Sequence, residues 1–332
     1  MKHIVKITTT RKSIPLKTPF VTALRRVENV EFIRVMIMYD DGSYSYGEAP
    51  ATKAITGEDL KSIEDGICSI TTQLIDNTQQ SAYRLLHNSS LGSSAKAAID
   101  IALSQPKLLS KHATQTIQTD ITISFAQTDT MVHKATQAYT QGIKFLKIKL
   151  AQDIQHAITT THALCKALPD ATFLIDANQA WDLHNALVYV ESVQEYKNIA
   201  LIEQPVAANA LHDLRTITQT STIPILADES VFQLDDAKRV IEGGYADMIN
   251  IKLMKCGGYT KAKEILEYAR INGVVCMLGS MLEGPISIEA ALVLAFEYRD
   301  VVKFVDLDSP LLYKELPQEL CFEYQGATIV PL

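Results

Sequence analysis

Two lysines and three carboxylates recur at nearly even intervals through the second half of the chain: Lys149, Asp176, Glu203, Asp228 and Lys252. Ser280 and Asp306 continue the series, each member roughly 24 to 28 residues from the last, about the length of one βα unit. Each follows a short apolar run (FLKIK, FLID, ALIE, PILAD, MINIK), so each is expected at the C-terminal end of a buried strand, where barrel strands present their end residues to one shared mouth. Three carboxylates from adjacent strands, with no His or Cys among them, make a hard-oxygen site that favours Mg²⁺ over zinc. Lys149, on the second strand of such a barrel, and Lys252, on the sixth, stand on opposite sides of the mouth, which places a base on each face of a substrate carbon. Lys147 shares the face of Lys149. Alone, the FLKIKL strand would read as a solvated edge, but its evenly spaced partners make it an interior strand. A second ammonium and a divalent cation lower the pKa of a lysine base, and an acid needing both is a carbon next to a carboxylate. The expected chemistry is proton abstraction alpha to a carboxylate. A Schiff-base lysine aldolase, or a barrel that only binds metal and ligand, would use parts of the same set.

The elements that must position these groups begin near residue 117. Eight strand candidates (IQTDITIS, GIKFLKIKL, TFLIDAN, IALIEQP, IPILADES, ADMINIKL, GVVCMLGS and VVKFVDLD) follow one another, each of the first seven succeeded by a helical segment. That alternation over some 200 residues predicts a closed α/β barrel of TIM type. No GxGxxG opens a helix, which removes the main reason to expect a dinucleotide fold. Upstream, residues 4 to 50 read as a strand, a polar-basic loop (KTPFVTALRR) and a hairpin with the turn DDGS. Helices are expected at about 58–75, 80–88 and 94–104, the first opened by TGED. This is an α+β unit ahead of the barrel. CGG at 256–258 reads as a turn into a helix.

Composition narrows the partners. The chain has 332 residues, 47% of them hydrophobic, and a formal charge of −7. It has no general attraction for nucleic acid or anionic membrane, so a small-molecule ligand held by a local basic cluster is expected. MKHIVKITTTRKS lacks the apolar core of a secretory signal and no run is long enough to span a bilayer, so a cytoplasmic location is expected. Five scattered cysteines without CxxC spacing indicate reduced residues. The eight histidines show no metal-ligand spacing.

KIK at 147–149, DAN at 176–178, EQP at 203–205, ADES at 227–230 and NIKLMKCGG at 250–258 together resemble the enolase superfamily, in its muconate lactonizing enzyme subgroup, over nearly the whole chain. The resemblance implies a modified TIM barrel, (β/α)7β, spanning residues 116–314, beneath an α+β capping domain of residues 1–115 completed by about 315–332. It implies one Mg²⁺ per subunit on Asp176, Glu203 and Asp228, supported by Asn178 and Glu229, and a homo-oligomer. A mandelate racemase type of site would need a histidine on a later strand, and none is placed there. FVDLDSP puts Asp306 and Asp308 on one face, suited to an ammonium group, and looks like the DxD pair of dipeptide epimerases. TPFVTALRRVENV and YGEAPATKAITGED resemble segments of L-Ala-D/L-Glu epimerases, in which a capping-loop arginine meets the substrate's side-chain carboxylate; Arg25 matches by position, with Arg26 beside it. Thr122 matches a substrate-contacting threonine, and Ser280 and Met281 are expected to border the substrate. The implied activity is epimerisation of a dipeptide, L-Ala-D/L-Glu foremost, in murein peptide recycling. N-acylamino acid racemase, o-succinylbenzoate synthase and cycloisomerase activities remain open on the same scaffold. GSMLEGPIS departs from those epimerases at Gly284 and Pro285, and SQPKLLSKHATQ from their usual passage into the barrel.

Overall fold

The computed structural model describes residues 2–21, 26–108, 112, 114–318 and 320–332. β1 (Ile4–Val21), β2 (Arg26–Tyr39) and β3 (Tyr44–Pro50) form an antiparallel sheet in that order. Of the four helices that follow, α1 (Lys53–Thr56), α2 (Leu60–Leu74), α3 (Gln79–His87) and α4 (Ser93–Ser104), alternation along β2 turns Ile33, Val35, Ile37 and Tyr39 inward onto α2 and α4. The stretch expected as a basic loop is strand at both described ends: after an irregularity between Pro15 and Phe20, β1 pairs with β2 through Phe20 opposite Val27 and Val21 opposite Arg26. In TGED the working cap is Asp59, which accepts from the Ser62 N–H while the Ser62 hydroxyl accepts from the Asp59 N–H. Glu58 turns away and accepts from the Ser94 and Ala95 N–H groups, 2.7 and 3.1 Å, at the start of α4.

The stretch expected as the first barrel strand is two strands. β4 (Ile117–Gln118) stays outside the barrel, and β5 (Ile121–Ile123) enters it. The barrel continues through α5 (Thr128–Thr140), β6 (Phe145–Lys149), α6 (Ile154–Ala167), β7 (Thr172–Asp176), α7 (Leu183–Val193), β8 (Ile199–Glu203), α8 (Leu211–Thr220), β9 (Ile225–Ala227) and α9 (Leu234–Glu242). It ends with β10 (Met248–Lys252), α10 (Leu253–Cys256), α11 (Tyr259–Ile271), β11 (Val275–Gly279), α12 (Pro285–Glu297) and β12 (Val302–Asp306). All neighbouring strands from β5 to β12 pair in parallel. Between the ends, the Asp120 N–H donates to Val305 O at 3.0 Å, nearly closing the ring. After α13 (Ser309–Leu312) the Lys314 N–H donates to Pro15 O, and the hairpin of β13 (Phe322–Gln325) and β14 (Thr328–Pro331) pairs with β4.

Period-two alternation separates two environments within each strand. Leu174, Leu201, Leu226, Met248 and Met277 point into the barrel and form an apolar plug with Phe145, Val275 and Phe304. Ile148, Phe173, Ile175, Ile202, Ile225, Ile249 and Leu278 point outward into the core shared with the helices. Two residues beyond the plug, on the same inward face, lie Lys147, Asp176, Glu203, Asp228, Asn250 and Asp306. The plug is therefore the floor of the polar site.

The cap is fastened to the barrel by two of its carboxylates. Helices α11 and α12 begin with Gly258 and Gly284 as N-caps, which offer no side chain to their free N–H groups. Asp100 of α4 accepts from the Thr260 N–H at 3.0 Å and also meets the Thr260 hydroxyl and His87 Nε2. Glu48 of β3 accepts from the Ile286 N–H at 2.8 Å through one oxygen and from Arg34 Nε at 2.8 Å through the other. A Cβ on Gly258 would lie 2.5 Å from Asp100 Cβ, and one on Gly284 2.5 Å from Glu48 Oε2, so each glycine leaves room for a carboxylate of the cap. The CGG turn thus leads into a helix end already occupied by Asp100.

Candidate active site

FLKIKL is an interior strand: β6 pairs with β5 and β7, and both its lysines are buried. Lys147 Nζ lies 2.7 Å from Asp306 Oδ2, 2.7 Å from Glu203 Oε2 and 3.3 Å from Asp176 Oδ2. Lys149 Nζ donates to Asp176 Oδ2 at 2.5 Å, and Lys252 Nζ to Asp228 Oδ2 at 2.6 Å. β6 and β10 are four places apart in the eight-strand order, so the Lys149 and Lys252 side chains face each other across the mouth. Lys149, Asp228, Lys252, Asp306 and Asp308 line one cleft with Thr122, Asn178, Glu229, Ser280 and Met281, and Phe20, Thr52, Ala54 and Ile55 close it from the cap.

The remaining expected residues are placed as follows. The Asn178 N–H donates to Asp176 Oδ1 at 2.9 Å, and its amide reaches Glu229 Oε1 at 3.3 Å. The Thr122 N–H donates to Asp308 Oδ2 at 2.9 Å. The Ser280 N–H donates to Asp306 O, and the Met281 N–H to Glu283 Oε1. Arg25 lies outside the described residues; Arg26 is exposed beside Glu28.

Three groups that sequence reasoning passed over hold the site together. Lys255, 1% exposed, donates to both Oδ1 and the carbonyl of Asp228 and to Asn250 O. The Asn250 amide donates to Glu203 Oε1 at 2.8 Å. Gln204, at a left-handed φ of +36°, accepts through Oε1 from the Asp228 and Ser230 N–H groups, 2.9 and 3.1 Å, and so ties the end of β8 to that of β9. Asn250 was findable, since it shares the inward face of MINIK with Lys252; Lys255 lies beyond the strand and carried no periodic signal.

Electrostatics divide the carboxylates. Burial pushes all of them up, but the adjacent lysines outweigh it at Asp176, Asp228 and Asp306, which are held below the ordinary range. Burial and the neighbouring Asp176 push Glu203 up to about 7; burial and Asp228 do the same to Glu229. Burial and Asp306 raise Asp308 to about 6. Burial alone would lower Lys252, yet the adjacent Asp228 holds it above its ordinary value.

A mouth of facing lysines among buried carboxylates, roofed by an antiparallel cap, defines a barrel built for acid–base chemistry at a charged substrate. The chain matches the family described as Enolase C-terminal domain-like over residues 130–327. It is 52% identical to the L-amino acid-D/L-Glu epimerase of Sulfurimonas denitrificans, with 99% of each chain covered. It is similar to the substrate-liganded L-Ala-D/L-Glu epimerase of Bacillus subtilis, with a TM-score of 0.94 and 34% identity over 99% of this chain and 96% of that one. It is also similar to the dipeptide epimerase of Enterococcus faecalis complexed with Mg and L-Leu-L-Tyr, with a TM-score of 0.92 and 30% identity over 99% and 97%. The protein belongs to the enolase superfamily, among the dipeptide epimerases and their relatives.

Proposed function

We propose that the protein is a Mg²⁺-dependent dipeptide epimerase that exchanges the α-proton of the C-terminal residue, with L-Ala-D/L-Glu as the foremost pair. The observation that carries this is the pair of buried lysines on facing strands, one for each side of a planar α-carbon. The donor set suits a hard cation. Asp176, Glu203 and Asp228 end three adjacent strands, and Glu203 Oε2 accepts no aligned hydrogen bond among the described residues although Lys147 stands beside it. Mg²⁺ held there would supply Lewis-acid stabilisation of the charge that develops on the substrate's terminal carboxylate.

In this reading one lysine, as the amine, takes the α-proton while the other, as the ammonium, returns a proton to the opposite face; reversing the roles converts the other epimer. Lys147, fixed by three carboxylates, adds positive charge beneath the reacting carbon. Asp306 and Asp308 receive the α-ammonium, with Asp308 oriented by the Thr122 N–H. Ser280, Met281 and Arg25 border the rest of the dipeptide, and Asn178 and Glu229 steady the metal ligands. Residues 1–115, with about 315–332, form the cap over a barrel of residues 116–314. Five free cysteines suit a reducing cytoplasm, and no helix among the described residues is long and apolar enough to cross a membrane. The net charge of −7 disfavours nucleic acid, and murein peptides and a homo-oligomeric state complete the reading. Proton NMR of L-Ala-L-Glu with enzyme and Mg²⁺ in D₂O tests it: the Glu α-proton signal should vanish as the diastereomer grows. Absence of exchange across neutral, cationic and apolar second residues would overturn it.

A further inference from the structure

Asp120 does not belong to the machinery described so far. It sits at the entry to β5, two residues before Thr122, and is 2% exposed. Both of its carboxylate oxygens are buried without a hydrogen-bond partner among the described residues. A buried carboxylate with neither oxygen satisfied costs several kcal/mol in general, so it calls for a cation or a proton. One oxygen each from Asp120, Asp306 and Asp308 lie within 4.8 Å of one another. Three oxygens no farther apart than that have a point between them no more than about 2.8 Å from each, a few tenths of an ångström outside Ca²⁺ distances and about 0.7 Å outside those of Mg²⁺, so a smaller ion would draw the carboxylates inward.

Charge leads the same way. Among the described residues Lys147 is the cation paired with this cluster, at 2.7 Å from Asp306 Oδ2, and it also serves Glu203 and Asp176, while Lys252 and Lys149 act on Asp306 from farther away. The unbalanced negative charge raises both Asp120 and Asp308 above the ordinary carboxylate range, after burial. All donors are hard oxygens, and two of the three residues, Asp306 and Asp308, line the open cleft, which gives an ion its path in.

We propose that Asp120, Asp306 and Asp308 form a second site for a hard divalent cation, separate from the triad of Asp176, Glu203 and Asp228, and that an ion there competes with the α-ammonium of the dipeptide. The competition rests on the reading of Asp306 and Asp308 as the ammonium acceptors; the site itself does not. Excess metal then acts as an inhibitor that raises KM and leaves kcat unchanged. At free Mg²⁺ ten times the second dissociation constant, KM rises about elevenfold.

The test is a Mn²⁺ titration of the metal-stripped full chain, followed by the spectrum of free Mn²⁺. Two sites per chain are expected, reduced to one in Asp120→Asn and reduced to one in the wild type by saturating L-Ala-L-Glu. A single site in the wild-type chain overturns the proposal whatever the substrate is, as do two sites that persist in a folded Asp120→Asn. Should that variant not fold, the wild-type count with and without dipeptide decides. Two sites, one lost in Asp120→Asn but neither displaced by dipeptide, overturn the competition and with it the ammonium role of Asp306 and Asp308.

Discussion

Replacing either facing lysine by alanine should split epimerisation into two half-reactions. A single lysine can remove a proton from one face and return a solvent-derived proton to the same face, but it cannot invert the centre. Loss of a positioned acid–base group costs about 10²- to 10⁴-fold, or about 2.7 to 5.4 kcal/mol at 1.36 kcal/mol per decade, so epimerisation by Lys149→Ala or Lys252→Ala should fall at least that far. The fold should survive. Asp176 retains Lys147 at 3.3 Å when Lys149 is removed, and Asp228 retains Lys255 when Lys252 is removed. Neither carboxylate is abandoned, and the destabilisation stays below the roughly 3 to 5 kcal/mol of an unpaired buried charge. The assay is deuterium incorporation at the α-carbon of the second residue, begun separately from each epimer. Each variant should exchange one epimer, and the two variants should choose opposite ones. If both exchange the same epimer, or either epimerises within tenfold of the wild type, the opposed-base geometry is wrong.

Other perturbations probe the supports. On Gly279 a Cβ would lie 2.8 Å from Asn250 Oδ1 and 3.1 Å from Lys252 Cε, so Gly279→Ala should displace the lysine and lower kcat about 10- to 100-fold with little change in Tm; an unchanged kcat would show that Lys252 has slack. Asp100→Ala removes the acceptor for the first turn of α11 and should cost about 1 to 3 kcal/mol in urea unfolding. Burial pushes Glu283 up to about 7 from an ordinary 4.5. Between those values the folded chain holds a proton that the unfolded chain has lost, so stability falls as pH rises through that window, by at most about 3 kcal/mol. Glu283→Gln should remove that part of the pH dependence, and an unaltered slope of unfolding free energy between about pH 5 and pH 8 would refute the assignment.

The barrel was legible because its signal is written twice: apolar runs of strand length and, at their ends, charged residues about one βα unit apart. Asp176, Glu203, Asp228, Lys149 and Lys252 needed only that spacing to be brought to one mouth. What could not be read were contacts between elements distant in the chain. Glu58 looked like part of the start of α2 and caps α4, because the choice between two adjacent acids depends on where α4 packs. The first strand candidate broke in two because β14, some two hundred residues later, takes its first half. Asp120 reads as an unremarkable acid at a strand start until Asp306 and Asp308 arrive from the far edge of the sheet.

The two uncapped helices also make the cap and barrel a keyed joint. Asp100 and Glu48 each enter a gap left by a glycine at a helix start, and those helices follow β10 and β11, the strands that carry Lys252 and lead to Ser280. The cap that supplies Phe20 and Ile55 to the cleft wall is thus indexed to the strands that form the rest of the cleft, not only laid over them. In a chimera joining the cap of one protein to the barrel of another, registration would depend on these two acid–glycine pairs. With both matched, new cleft walls could be exchanged as a unit; with either mismatched, the roof would shift relative to the lysines even if each half folded well.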